Sequence, residues 1–263
     1  MAADPRITLS IDDRGRGGSV ARVVVDSEAR LNILGSVLIK QFISALESLR
    51  ENTTLRAVVV TGAGDRAFIG GADINEMSRL DQDTARGFIT DLHRACLSIR
   101  SLPVPVIARI SGYCLGAGLE IAAACDLRVA SMESTFGMPE VRVGIPSVIE
   151  AALLPQLIGW GKTRELLYTG ERITAEEAVR IGLVERATSL DQLDTAVSVW
   201  IDSICKAGHN AIKLQKALIQ EWEQLSPEKA IERGIDYFAE AFKGGEPRFL
   251  MSRFLKRAKS KTE

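Results

Sequence analysis

The chain has 263 residues, enough for a well-buried core with an appendage, and its hydrophobic (46%) and charged (25%) fractions are those of a globular protein. A formal net charge of -1 removes any global electrostatic case for nucleic acid or an anionic membrane as partner. No apolar run approaches the roughly 18 residues needed to span a bilayer, so no membrane partner is expected.

In chain order, residues 6–11 alternate and predict a strand, Gly15-Arg16-Gly17-Gly18 a turn, and residues 20–25 a second strand rich in β-branched side chains. Ser36 opens a helical pattern with Val37, Phe42, Leu46 and Leu49 placed for a buried stripe. Residues 56–61 form a near-continuous apolar strand, as in a sheet covered on both faces. A glycine-rich loop follows, then a helix over about 81–100. Pro103-Val104-Pro105 leads into a buried strand at 106–110; beyond a second glycine-rich loop come a short helix at 118–124 and a strand at 127–130. This alternation predicts an α/β domain with mainly parallel pairing. From about Val148 the pattern predicts helix after helix, at 175–180, 190–205, 207–220, 227–242 and 248–259. The expected division is an α/β core over 1–200 and a C-terminal helical, oligomerising region over 201–263.

The start of the chain has no basic-then-apolar signal pattern and Lys261-Thr262-Glu263 is no peroxisomal address, so a cytoplasmic location is expected. Cys96, Cys114, Cys125 and Cys205 show no Cys-x-x-Cys spacing and sit among apolar residues, which predicts reduced core thiols. With His93 and His209 as the two histidines, no metal site is expected, and His93 reads as a packing residue of a helix.

Gly62-Ala63-Gly64-Asp65-Arg66-Ala67 fits the Gly-x-Gly-x-x-Gly/Ala pattern of dinucleotide-binding folds. That pattern needs a helix directly after the loop. Here Phe68-Ile69-Gly70-Gly71 follows, a poor helix start, which argues against a nicotinamide cofactor.

Two glycine-rich loops, Ala67-Phe68-Ile69-Gly70-Gly71-Ala72-Asp73-Ile74 and Ile110 through Glu120, each follow a buried strand. Glycine lets a backbone approach a ligand closely and leaves peptide N–H groups free to point at an acceptor. The second loop runs into a short helix, whose first turn carries unpaired N–H groups suited to an oxyanion. Glu120, inside Leu119-Glu120-Ile121-Ala122-Ala123-Ala124-Cys125, is poorly solvated, so its proton affinity is open to tuning. Glu140 sits in an apolar turn after Pro139.

Together these features resemble the crotonase (enoyl-CoA hydratase/isomerase) superfamily. The matching stretches are residues 67–77, 105–131 with Gly116-Ala117-Gly118-Leu119-Glu120, 136–140, Thr169 through Ala175, and Gly182-Leu183-Val184. The resemblance implies a spiral of ββα units with a C-terminal helical oligomerisation region, and an acyl-CoA thioester as partner. It implies Gly70 and Ala117 as the backbone donors of an oxyanion hole, and Glu120 and Glu140 as the catalytic carboxylates. It places Ala29, Arg30, Ala72, Asp73 and Ile74 near coenzyme A, with Phe254 and Lys256 of the last helix reaching a neighbouring subunit's ligand. The implied assembly is a homotrimer or homohexamer, with no metal and no cofactor apart from the coenzyme A of the substrate. The implied reaction is addition of water to a trans-2-enoyl-CoA; the alternatives are a thioester hydrolase, isomerase or lyase, or a non-catalytic RNA-binding member of the fold. The chain departs from the common pattern after Pro146, where Ser147-Val148-Ile149-Glu150 replaces a small-residue run. Glu150, a third carboxylate, reads as structural.

Overall fold

The alternating apolar runs fold into two sheets. The computed structural model describes residues 4–259, which form two compact units dividing between Trp200 and Ile201. In the first, β1 (Arg6–Asp13), β2 (Ser19–Asp26) and α1 (Ser36–Ser48) are followed by β3 (Leu55–Gly62), β4 (Ala67–Ile69), α2 (Ile74–Met77) and α3 (Gln82–Arg100). Next come β5 (Val106–Ile110), β6 (Tyr113–Leu115) and α4 (Ala117–Ala124), then β7 (Leu127–Ser131) and β8 (Thr135–Gly137). Helix α5 (Leu154–Thr169), β9 (Arg172–Thr174), α6 (Ala175–Arg180) and β10 (Arg186–Thr188) complete it, and α7 (Leu193–Lys206) crosses the division.

Among the described residues, one six-stranded sheet has the order β1-β2-β3-β5-β7-β10 and a four-stranded sheet the order β4-β6-β8-β9. Only the β1–β2 and β8–β9 pairings in these sheets are antiparallel. In three successive pairs, β3–β4, β5–β6 and β7–β8, the first strand enters the large sheet and the second the small one. Helices follow each of the first two pairs, so the chain winds as a spiral of ββα units, the expected fold. The late strands β9 and β10 correct the expectation of helices alone after Val148: each is three residues long, too short to show a period. The four-stranded sheet and α5 were likewise not legible in the pattern.

Strand β3 is buried along its whole length, as its unbroken apolar run requires. Helix α1 packs Leu38, Ile39, Phe42 and Leu46 inward, whereas Val37 is 67% exposed; it stands five residues before Phe42, well off the stripe. Helix α3 opens on a capping box in which Thr84 N–H donates to Asp81 Oδ1 at 2.9 Å and Asp81 N–H to Thr84 Oγ1 at 2.8 Å. Its inward face, Phe88, Leu92, Ala95, Cys96 and Ile99, joins the core, with α3 packed against α1 and α4. Cys96, Cys114 and Cys125 are buried and Cys205 half-buried, and none of the four is in a disulfide.

The second unit holds α8 (His209–Trp222), α9 (Pro227–Ala241) and α10 (Glu246–Lys259). The Glu246 carboxylate caps α8, accepting from Asn210 and Ala211 N–H groups at 3.1 and 3.0 Å. Arg233 and Tyr237 of α9 both bond Glu221 of α8. On α9, Ile231, Ile235 and Phe238 are all more than 60% exposed and recur at helical spacing, an apolar face left open to solvent. Among the described residues no helix is long and apolar enough to cross a membrane.

Candidate active site

The two glycine loops meet because their strands pair. Strands β4 and β6 run parallel, with Ala67 opposite Tyr113 and Ile69 opposite Cys114, so the chain leaves both strands at the same end. From β4 it passes into Gly70–Gly71–Ala72, and from β6 into Gly116 and the first turn of α4. Helix α4 is drawn against β4 at Gly118, where a Cβ would stand 2.1 Å from the Ile69 carbonyl oxygen. Gly116, the N-cap of α4, has φ of 52°, and a Cβ there would lie 2.5 Å from Glu140 Oε1. At the other end of α4, buried Arg128 donates to the carbonyls of Ala122 and Cys125 at 3.3 and 2.7 Å. It also pairs with Glu185, and a cation at a helix C-terminus suits the helix dipole.

The backbone donors differ in one respect from expectation. Gly70 is not available as an oxyanion donor, because its N–H is spent on the Leu31 carbonyl at 2.9 Å. The parallel bridge between Leu34 and Ala72 uses the Gly71 carbonyl and the Asp73 N–H, each at 2.9 Å from Leu34. Alternate residues of an extended segment point their hydrogen-bonding groups to opposite sides. Ala72 therefore turns its N–H away from Leu34, to the side of the pocket it lines, and it has no acceptor among the described residues. Ala117, the first residue of α4, likewise has an N–H with no acceptor there and lines the same pocket. The loop before β4 is held by buried Asn32, which accepts from Ser27 N–H at 3.0 Å and donates to the Ala63 and Ala67 carbonyls at 2.9 and 2.7 Å.

Glu120 and Glu140 reach the same pocket from different elements, α4 and a 3-10 turn over Pro139–Val143. Glu120 is 5% exposed, and its Oε1 accepts from Ala151 N–H at 3.3 Å. Burial, the Glu140 charge and, more weakly, the Glu150 charge outweigh that hydrogen bond and raise the Glu120 pKa to about 8. Glu140 Oε2 accepts from the Ser147 hydroxyl at 2.7 Å, so it sits as an acceptor. With its pKa raised in this way Glu120 keeps its proton at neutral pH, while Glu140 presents an oxygen as acceptor.

The pocket is a cavity of about 240 Å³. Met77, Phe88, Ile89 and Leu92 form one apolar wall, and Val143, Ile145, Pro146 and Val148 another. The Ser147–Val148 departure therefore faces the site. Glu150 does not line the pocket; it is 6% exposed, and His93 Nδ1 stands 2.9 Å from its Oε1. Neither this hydrogen bond nor His93's place in it was apparent from sequence, since fifty-seven residues separate the two.

At the pocket mouth, Ile74 is 60% exposed and lines the opening. Asp73 is the N-cap of α2 and takes Arg30 Nη2 at 2.5 Å. Burial alone would raise the Asp73 pKa, but the Arg30 hydrogen bond, with the Glu76 and Asn75 N–H groups and the Arg30 charge, holds it below its ordinary value. Ala29 lies beside them in the exposed 3-10 turn Glu28–Arg30. Phe254 and Lys256 lie on α10 of the second unit with exposed side chains. The Gly62–Ala67 loop runs into β4 and not into a helix, so it lacks the helix N-terminus a dinucleotide site uses. Among the described residues no cluster of three or more His, Cys, Asp or Glu could hold a metal ion.

A family model described as enoyl-CoA hydratase/isomerase matches residues 15–262. The chain belongs to the enoyl-CoA hydratase/isomerase family. Among members of this family, a short-chain-enoyl-CoA hydratase of Clostridium acetobutylicum is 32% identical over 243 residues, covering 92% of this chain and 93% of that protein. A crotonyl-CoA hydratase of Syntrophomonas wolfei is 32% identical over 242 residues, with the same coverages of 92% and 93%. The crystal structure of an enoyl-CoA hydratase from Bacillus anthracis superposes with a TM-score of 0.89 at 28% identity, covering 95% of this chain and 96% of that one.

Proposed function

We propose that this enoyl-CoA hydratase/isomerase family member hydrates a trans-2-enoyl-CoA with a short acyl chain to the 3-hydroxyacyl-CoA. The observation that carries the proposal is the convergence of Glu120 and Glu140 on one pocket beside two unspent backbone N–H groups. In this reading Ala72 and Ala117 donate to the thioester oxygen, where negative charge develops as the enolate forms. The ionised glutamate takes a proton from the water that adds at C3, and the protonated one delivers its proton to C2. With the proton on Glu120, Glu140 is the base and Glu120 the acid. The product leaves the proton on Glu140, and its return to Glu120 resets the pair.

The remaining roles follow the same reading. Arg30, Ala29, Asp73 and Ile74 frame the mouth where coenzyme A enters, and the apolar walls accept the acyl chain. Phe254 and Lys256 contact the coenzyme A of a neighbouring subunit in a homotrimer or a pair of trimers. The open apolar face of α9 supports such an assembly. The scheme uses no metal and no redox cofactor, since coenzyme A is part of the substrate.

The test is an assay of purified protein, in EDTA and without nicotinamide, against enoyl-, 3-hydroxyacyl- and saturated acyl-CoA thioesters. Loss of the conjugated double bond with formation of a hydroxyacyl product is expected. Release of free thiol without that product would instead make the protein a hydrolase. Glu120→Gln and Glu140→Gln should each lower turnover by about 10²–10⁴. Near-normal turnover in Glu140→Gln would remove it from the mechanism.

A further inference from the structure

Behind the active site lies a third carboxyl, Glu150, which does not line the pocket. Glu150 begins with an unusual backbone: the preceding residue, Ile149, has φ of 39°, a left-handed conformation that β-branched side chains rarely adopt. Strain of this kind persists only where neighbouring contacts over-determine it. Glu150 is 6% exposed and its Oε2 is buried without a hydrogen bond. A turn needs no buried carboxyl, and an apolar residue of similar volume would serve it at lower cost.

The contact that compensates comes from α3. His93, with a side chain 48% exposed, stands with Nδ1 2.9 Å from Glu150 Oε1; against an ionised carboxylate that nitrogen is the donor. The very next backbone N–H, that of Ala151, is shared between the Val148 carbonyl at 2.9 Å, which closes the turn, and Glu120 Oε1 at 3.3 Å. Both residues belong to the 3-10 turn Ile149–Leu153, so holding Glu150 holds the Ala151 N–H as well.

We propose that His93 and Glu150 are positioning residues: their hydrogen bond ties the 149–153 turn to α3 and so fixes the Ala151 N–H that orients the Glu120 carboxyl. This rests on the assignment of Glu120 as a reacting group. His93 touches neither the pocket nor the reacting atoms, and its effect passes through Glu150 and the Ala151 peptide. The hydrogen bond, not bulk at position 93, is what matters. An asparagine places an amide N–H close to where Nδ1–H stands, whereas an alanine leaves Glu150 with only the Cys96 thiol as a side-chain partner.

The experiment measures kcat and KM for the enoyl-CoA with His93→Ala, His93→Asn and, alongside, Glu120→Gln, with melting temperature as the folding control. His93→Ala should lower kcat by about ten- to a hundredfold, as a misplacement of up to ~1 Å does, with KM for the thioester unchanged. His93→Asn should recover most of that loss. A folded His93→Ala with unaltered kcat would overturn the proposal. So would a loss that His93→Asn does not recover, or one that falls on KM alone. Unaltered kcat in Glu120→Gln would instead sink the assignment on which the proposal rests, and the two failures are thereby told apart.

Discussion

Replacing Gly118 with alanine tests whether the approach of α4 to β4 sets the geometry of the site. Glycine inside a helix is ordinarily a defect, and alanine there gains about 1 kcal/mol. At Gly118 the sign should reverse. The added Cβ would meet the Ile69 carbonyl oxygen at 2.1 Å and the Ile69 carbonyl carbon at 3.0 Å, where real contacts do not fall below 3.0 Å. The oxygen belongs to the backbone of β4, which is paired with β6 and cannot swing aside. Helix α4 must then move out by about 1 Å, from the difference between 3.0 and 2.1 Å. Overpacking of this kind costs up to about 3 kcal/mol, leaving roughly 2 kcal/mol of net destabilisation after the helix gain. For a chain of this size that lowers Tm by about 4–8 °C. The same shift carries the Ala117 N–H and Glu120 away from the loop of Ala72, and a displacement of ~1 Å costs on the order of 10²-fold in turnover. Thermal unfolding and steady-state kcat on the same preparation measure both. A Gly118→Ala protein with a raised Tm and wild-type kcat would refute the argument, since it would mean that α4 and β4 are not in contact there.

Three further outcomes follow from other parts of the molecule. Because the folded-state pKa of Glu120, about 8, lies above its ordinary value of 4.5, the folded form binds the extra proton, and stability falls as pH rises between these values. Glu120→Gln should remove that slope, melting increasingly above the wild type toward pH 8; the loss of kcat/KM on the alkaline side should also disappear from whatever activity remains, and parallel melting curves across pH 5–8 would contradict the assignment. Arg128→Met strips the carbonyls of Ala122 and Cys125 of their donor and leaves Glu185 without its cation, so denaturant unfolding should show a loss of about 2–4 kcal/mol, tempered by the partial exposure of Glu185. Phe238→Glu puts a charge on the open apolar face of α9, and if that face holds the proposed trimer together, light scattering should find a smaller mass than for the wild type; an unchanged mass would remove the face from that role.

Much of the architecture is legible from residue order because local chemistry and tertiary packing agree there. Strand β5 is an apolar run introduced by two prolines, and α6 is bounded by the Thr174 cap and the basic Arg180; both occupy the residues their patterns predict. The Asp81–Thr84 capping box likewise marks the start of α3. The glycine loops and the two glutamates are visible as motifs, since glycine spacing and a carboxylate in an apolar helix are properties of the chain itself.

What the sequence leaves open depends on partners distant along the chain. The three-residue strands β4, β6, β8 and β9 exist because each borrows its hydrogen bonds from a neighbouring strand, and so short a segment has no period of its own. Gly70 and Ala72 look equally suited to donate an N–H, and only the carbonyl of Leu31 and the bridge to Leu34 decide that the first is spent and the second free. Glu120 is poorly solvated by its own sequence, but the proton it holds also depends on Glu140 and Glu150, which close-packing brings near it from separate turns. His93 and Glu150 become a pair only when α3 lies across the turn at 149–153. Side-chain type and local spacing thus determined the longer elements and the candidate reacting groups, whereas the short strands and the direction of each hydrogen bond were decided by the tertiary structure, because both depend on what stands opposite in space.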